Sequence, residues 1–227
     1  KRRGGNVFWV GHPMIDLTKK LPSMKDSRTI LKLQANQNIL LLMPASRPQE
    51  LKYILPTFLK TAKQLQLRYP SLIVYIPSCR RAFDEKFKKG LEKYAIKGKV
   101  ISQQDDSELM PYIYSLTKLA LCKSGTVNME LALYEIPQIV GYRVSRITAF
   151  IGKRILKFKV RFISPVNLLA KKLIIPEYVQ KNFNEKKIFY KACRLLDLTS
   201  EKAKVKKGYS LLKKELGDEG VVDRAAK

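Results

Sequence analysis

The run Leu119-Ala120-Leu121-Cys122-Lys123-Ser124-Gly125-Thr126-Val127-Asn128-Met129-Glu130 reads as a strand, a turn of small residues and the start of a helix. Free backbone N–H groups at a helix N-terminus, a hydroxyl on each side of Gly125 and the positive end of the helix dipole together favour an anionic phosphate. Glu130, a turn or more into that helix, is placed to accept hydrogen bonds from the two hydroxyls of a ribose. The same residues also fit a plain helix cap with Glu130 in water, and taken alone they leave both readings open. They form neither a P-loop nor a dinucleotide fingerprint, because the glycines and the Lys of those motifs are absent.

A second segment, Met43-Pro44-Ala45-Ser46-Arg47-Pro48-Gln49-Glu50, follows an apolar run and opens a long helix with Pro48 in its first turn. An Arg at that point aims a fixed cationic fork into a cleft, where it could neutralise a diphosphate leaving group. The alternative is a surface Arg paired with Glu50. His12, the single His, stands in Val10-Gly11-His12-Pro13 without a positioned partner and reads as a structural hydrogen bonder rather than a general base. Asp105 and Asp106 are adjacent rather than spaced to grip a metal with a nucleotide, and read as helix caps. The sequence holds no credible Ser-His-Asp arrangement.

These segments are positioned by short β-rich runs alternating with helical patterns from Gln37 to about Tyr142, which argues for parallel strands joined by crossover helices. Strands are predicted near 38–43, 71–76, 98–102, 117–122 and 137–142. Leu51, Ile54, Leu55, Phe58, Ala62 and Leu65 recur at helical spacing between the first two, and Pro70 ends that helix. A second helix carries Phe83, Phe87, Leu91 and Tyr94, and a third covers 107–116 with Pro111 near its first turn. One open twisted sheet covered on both faces follows. Ligands of such sheets sit beyond the carboxyl ends of the strands, which selects the turns at Pro44 to Arg47 and Ser124 to Thr126.

After Arg143 the pattern is basic and helical, then loop-like through Ser164-Pro165-Val166-Asn167, then helical again from about 184 to 216. Nine Lys and Arg and no acid lie between Glu135 and Glu177. There Ile147, Phe150, Ile151, Ile155 and Phe158 keep helical spacing beside Arg146, Lys153, Arg154 and Lys157. That mix fits either a helix lying in a membrane interface or a core-facing helix with a wet basic back.

The 227 residues, 45% of them hydrophobic, suffice for one substantial core. Apolar runs such as Ile39 to Met43 and Leu72 to Ile76 fall far short of the roughly 20 residues that span a bilayer. Lys1-Arg2-Arg3-Gly4-Gly5 leads into no signal-peptide core and there is no initiator Met, so the chain is expected to start partway through a longer protein. Cys79, Cys122 and Cys193 are odd in number, widely spaced and without a His partner, which argues against a disulfide framework or zinc site and fits a reducing compartment. The net charge of +26 would draw phosphate on nucleic acid, anionic lipid or nucleotide. With 32 Lys against 13 Arg, part of that excess reads as solvated surface.

In order, Val10-Gly11-His12-Pro13 with Asp16, Pro44-Ala45-Ser46-Arg47 with Glu50, Ser124-Gly125-Thr126 with Glu130, Val140-Gly141-Tyr142-Arg143, Asn167-Leu168-Leu169 and Pro176-Glu177 with Gln180 resemble the lipid-A-disaccharide synthase family over nearly the whole chain. The resemblance implies a GT-B architecture of two Rossmann-like domains facing across a cleft, of which this chain matches the hinge and the C-terminal donor half. It implies transfer of a diacylated glucosamine from UDP to a diacylated glucosamine 1-phosphate, with no metal or other cofactor. By the same resemblance Arg47, Ser124, Gly125 and Thr126 would meet the diphosphate and Glu130 the ribose, with Ser46 also in the nucleotide site. Tyr142 and Arg143 would line the nucleotide site, and Asn167 and Gln180 would sit near the donor sugar. Arg47, Asn167 and Gln180 are then the candidate catalytic groups of this half, the others being expected in an N-terminal domain, so the chain by itself is expected to be a weak catalyst. Two positions depart from the family pattern: Ala45 stands where a Gly is usual, and Val166 precedes Asn167 with Pro165 one place early.

The expectation is therefore an α/β chain, a Rossmann-like open parallel sheet with helices on both faces and a helical C-terminal extension. Residues 1–20 would be the hinge from the missing N-terminal domain, 21–183 the UDP-sugar-binding domain, and 184–227 helices crossing to the other half. Ala203, Tyr209, Leu212 and Leu216 form an apolar side on the last helix, expected to be bare without that half and to let copies self-associate. Expected partners are the UDP-sugar, the acylated sugar phosphate acceptor and the anionic inner face of the cytoplasmic membrane, where the enzyme would be peripheral. Competing readings are another GT-B UDP-sugar enzyme, such as an epimerase or a different glycosyltransferase, and a non-catalytic basic module for membrane surfaces or nucleic acid. Against specific nucleic-acid binding stands the lack of helix-turn-helix spacing, zinc ligands or an aromatic-rich RNA motif.

Overall fold

Each expected strand forms: β1 (Asn38–Met43), β2 (Leu72–Ser78), β3 (Gly98–Ser102), β4 (Thr117–Lys123) and β5 (Gln138–Tyr142). The structure, a computed structural model, describes residues 8–18, 20–102, 105–145 and 161–226. A sixth strand, β6 (Glu177–Val179), joins at the edge. All pairs are parallel and the order is β3-β2-β1-β4-β5-β6, the order of a doubly wound nucleotide-binding sheet. Burial along nearly all of β1 and all of β2 is what strands covered by helices on both faces require.

The helices are α1 (Met24–Leu31), α2 (Pro48–Arg68), α3 (Arg81–Lys93), α4 (Met110–Leu116), α5 (Val127–Leu133), α6 (Pro165–Leu169), α7 (Glu185–Asp197), α8 (Thr199–Leu216) and α9 (Val221–Ala225). In α2 the whole stripe from Leu51 to Leu65 is buried. The helix runs through Pro56, whose exposed position lets the carbonyl it deprives of a partner face water. It stops at Arg68 because Tyr69, ahead of Pro70, leaves the helical region at φ −126°, ψ 81°.

The polar stretch that precedes β1 contains α1. The Ser23 hydroxyl oxygen accepts from the Asp26 N–H at 3.1 Å and caps it. Ser115 in α4 donates to Ser27 at 2.6 Å, and Leu31 is buried, so α1 packs on the sheet domain. Phe8-Trp9-Val10 forms no strand. Its segment is held by the C-terminal end instead: the Asp16 carboxylate accepts from the N–H of Gly220 at 2.7 Å and of Val222 at 2.9 Å, and Arg224 donates to the Val10 carbonyl. The Val222 N–H, first among several backbone donors, holds the Asp16 carboxyl below its ordinary range.

The apolar side of α8 is likewise not bare. Tyr209, Leu212 and Leu216 are 0–1% exposed, packed towards α5, α6 and α7 within this chain, and only Ala203 of the expected set faces solvent. That removes the ground for expecting self-association through this face. Tyr209 donates to the Ile136 carbonyl at 3.0 Å and accepts from Gln138 at 3.1 Å, tying α8 to β5. Among the described residues no helix is long and apolar enough to cross a membrane. The basic segment around Ile147 to Phe158 lies outside the described residues.

Candidate functional site

The strand order reverses between β1 and β4, and the segments after those two strands diverge to leave a crevice beyond their carboxyl ends. A cavity of about 300 Å³ occupies it. After β1 it is lined by Ala45 and Ser46, after β2 by Cys79, and at the end of β4 and beyond it by Lys123, Ser124, Gly125, Thr126 and Glu130. Five of the residues singled out from sequence, Ser46, Ser124, Gly125, Thr126 and Glu130, thus meet around one opening. Cys79 and Lys123 were not anticipated. A larger opening of about 470 Å³, by Leu133 and Lys213 at the far end of α5, holds none of the expected residues.

The Ser124 to Thr126 turn is held from beneath by a wholly buried amide. Asn128 accepts from the Gly125 N–H at 2.9 Å and donates to the Lys123 carbonyl and to Gln138. The Gly125 N–H, expected to be free, is therefore occupied, and Ser124 donates to the Ile163 carbonyl. The N–H groups of Thr126 and Val127 find no acceptor among the described residues and remain for a ligand. Gly125 itself has no positive φ, and a Cβ built on it meets nothing within 4 Å. Neither backbone conformation nor packing requires glycine there; its missing side chain leaves room over the turn.

Arg47 caps α2 in extended conformation, exposed, and makes no ion pair among the described residues. The alternative of an Arg47–Glu50 pair is not realised, because Glu50 pairs with Lys123 at 2.8 Å. Ala45 adopts no positive φ, so the turn accommodates it without the strain a Gly would have relieved. Val166 is completely buried in α6, and Pro165 occupies the first helical position after the Ser164 cap, which accounts for both departures at that place.

Tyr142 and Arg143 lie at the end of β5, one strand away from the cavity lining. Arg143 donates to the Gln180 carbonyl at 3.3 Å and stacks 5.7 Å from the Phe183 ring centre, which fixes Gln180, at φ 52°, beside it. Asn167 is a correction. It is 0% exposed and uses all four of its hydrogen-bonding positions inside the protein, on Ile174, Ile175 twice and Glu177. Nothing is left for a sugar; Asn167 and the Glu177 carboxylate anchor the loop before β6. His12 accepts from the Met14 N–H, as a structural hydrogen bonder should. Asp105 pairs with Arg81, and Asp106 makes no side-chain cap, so the capping expected of that pair is absent.

Burial pushes the Glu130 carboxyl up from its ordinary 4.5, partly opposed by a hydrogen bond with Tyr114. An acid with a raised folded-state pKa begins to cost stability as the pH rises past its unfolded value, and the full cost applies above the raised one. Glu130→Gln is accordingly expected to raise the Tm of the free chain at pH 7 while weakening a ribose-bearing ligand. Thermal melts with and without that ligand measure both; a lower Tm with unchanged ligand shift would contradict the assignment.

Among the described residues no group of three or more His, Cys, Asp or Glu converges as a metal site. The family model described as lipid-A-disaccharide synthetase matches residues 2–226. The chain is 46% identical to a lipid-A-disaccharide synthase of Prochlorococcus marinus (strain MIT 9313) over all of its own length and 58% of that protein, and 36% identical to one of Gloeothece citriformis (strain PCC 7424) over 99% and 57%. It thus spans just over half the length of these relatives. Solved structures with the same fold include a putative UDP-N-acetylglucosamine 2-epimerase from Listeria monocytogenes, at TM-score 0.62 and 15% identity over 99% of this chain and 54% of that one. Another is the glycosyltransferase WaaG of lipopolysaccharide biosynthesis, at TM-score 0.58 and 12% identity over 94% and 52%.

Proposed function

The chain belongs to the lipid-A-disaccharide synthetase family, and on that premise we propose that it is the donor-binding half of a glycosyltransferase of lipid A assembly. Its donor is a UDP-linked acylated glucosamine and its acceptor an acylated glucosamine 1-phosphate. An acceptor hydroxyl attacks the anomeric carbon, the bond from that carbon to the diphosphate oxygen breaks, and UDP leaves with the electron pair. Arg47 and the unoccupied N–H groups of Thr126 and Val127 balance the charge that grows on UDP, and Glu130 holds the ribose. The acceptor proton goes to a base supplied by the N-terminal half. The observation that carries this reading is the convergence of Ser46, Ser124, Gly125, Thr126 and Glu130 on one cavity where the strand order reverses.

Release of UDP by the enzyme that contains this chain, supplied with both substrates and no divalent metal, tests it. Arg47→Ala should slow turnover by on the order of 10²–10³; an absolute need for magnesium, or an undiminished Arg47→Ala enzyme, would overturn it.

Such substrates live in a lipid leaflet, and the proposal includes docking at the cytoplasmic membrane surface. Exposed Leu168, Leu169 and Leu173 beside exposed Lys171 and Lys172 support it, an apolar anchor with a cationic rim. Binding to anionic vesicles should exceed binding to neutral ones and weaken with salt.

A further inference from the structure

Lys123, a lining residue of the crevice, forms an ion pair with Glu50, one from the last position of β4 and the other from the first turn of α2. The pair therefore ties together the two segments whose divergence opens the cavity. Its side chains are 19% and 11% exposed. Removing two charges from water to this degree is seldom repaid by their attraction alone, and an apolar pair of similar volume usually serves a fold at least as well. The pair is also incompletely satisfied. The second carboxylate oxygen of Glu50 is buried and has no partner, and the Lys123 ammonium, with three donors, has one acceptor among the described residues. Lys123 nonetheless lines the cavity together with Ser46 and Ser124.

We propose that Lys123 is a phosphate-binding residue of this cavity and Glu50 the positioning residue that holds its ammonium at the cavity wall. The assignment rests on the nucleotide reading above and adds to it a cation that no motif had marked. Arg47, exposed and unpaired, meets the diphosphate from outside. Lys123 meets it from the cavity lining, spending on phosphate oxygens the donors that Glu50 leaves unused. Because Glu50 stays engaged, the ammonium need not be freed from its partner for a phosphate to bind.

The test is calorimetric titration of the chain with UDP and, separately, with uridine, which lacks the phosphates. Lys123→Met should weaken UDP roughly tenfold to a hundredfold, the loss of one charge-assisted contact, and leave uridine unchanged. Glu50→Gln should show a smaller loss with the same split. If Lys123→Met alone does not fold, because it strands the Glu50 charge, the double variant Glu50→Leu/Lys123→Met removes both charges and should show the same loss for UDP. Undiminished UDP binding by a folded variant overturns the assignment, and so does an equal loss for UDP and uridine, which marks a merely structural pair. A wild-type chain that binds neither compound removes the nucleotide reading itself, and this assignment with it.

Discussion

Gly125→Val is expected to remove most UDP binding and leave the Tm where it is. The glycine is required neither by a positive φ nor by a neighbour, since a Cβ there meets nothing within 4 Å. A valine can therefore be added without overpacking, and by restricting the unfolded chain it should stabilise slightly if it has any effect. It would grow into the cavity over the Thr126 and Val127 N–H groups. A phosphate pushed off those donors loses charge-assisted hydrogen bonds of about 1.5–3 kcal/mol each, a drop of at least roughly tenfold in affinity. Calorimetry and a melt on the same sample read both quantities. A variant that binds UDP like wild type, or one whose Tm falls by many degrees, would contradict the expected pattern.

Glu177→Ala should do the opposite, costing about 3 kcal/mol or more of stability. The carboxylate accepts from the N–H groups of Ile163 at 2.8 Å and Ser164 at 2.9 Å, from the Ser164 hydroxyl at 2.7 Å and from Asn167 at 2.7 Å. Those donors include the start of α6, where backbone groups have no partner within the helix. Without the carboxylate the segment from Phe162 to Ile174 loses its attachment to β6. Denaturant unfolding should show the loss, and limited proteolysis should cut that segment first. A change within about 1 kcal/mol would mean that water replaces the carboxylate without penalty.

The contrast between these two residues shows what a sequence can disclose. Gly125 was legible because its chemistry is local: a small-residue turn between a strand and a helix is read from neighbours. The strands β1 to β5 were legible for the same reason, each carrying neighbouring apolar residues between turn signals, from Ile39 to Met43 in β1 down to Val100 and Ile101 in β3. Glu177 was marked only by resemblance, and its work depends on Ile163, Ser164 and Asn167 being brought to it. β6 escaped because three half-buried residues, Glu177, Tyr178 and Val179, show no period. The helix α1 left a usable trace, Ser23 with Asp26 three places on, but its charged composition resembles a linker. The pairing of Lys123 with Glu50 left none, since only the adjacency of β1 and β4 brings them together. The buried side of α8 was misjudged because the bed it lies on, formed with α5 and α6, is assembled from segments whose placement no local pattern reveals.

The most direct test of the central claim is a crystal structure of the chain with UDP and no divalent metal. The diphosphate should lie over Gly125, between Ser46 and Thr126, with Arg47 and Lys123 on it and the ribose hydroxyls on Glu130. UDP seated elsewhere, such as the opening beside Leu133 and Lys213, or an empty crevice at saturating UDP, would contradict it.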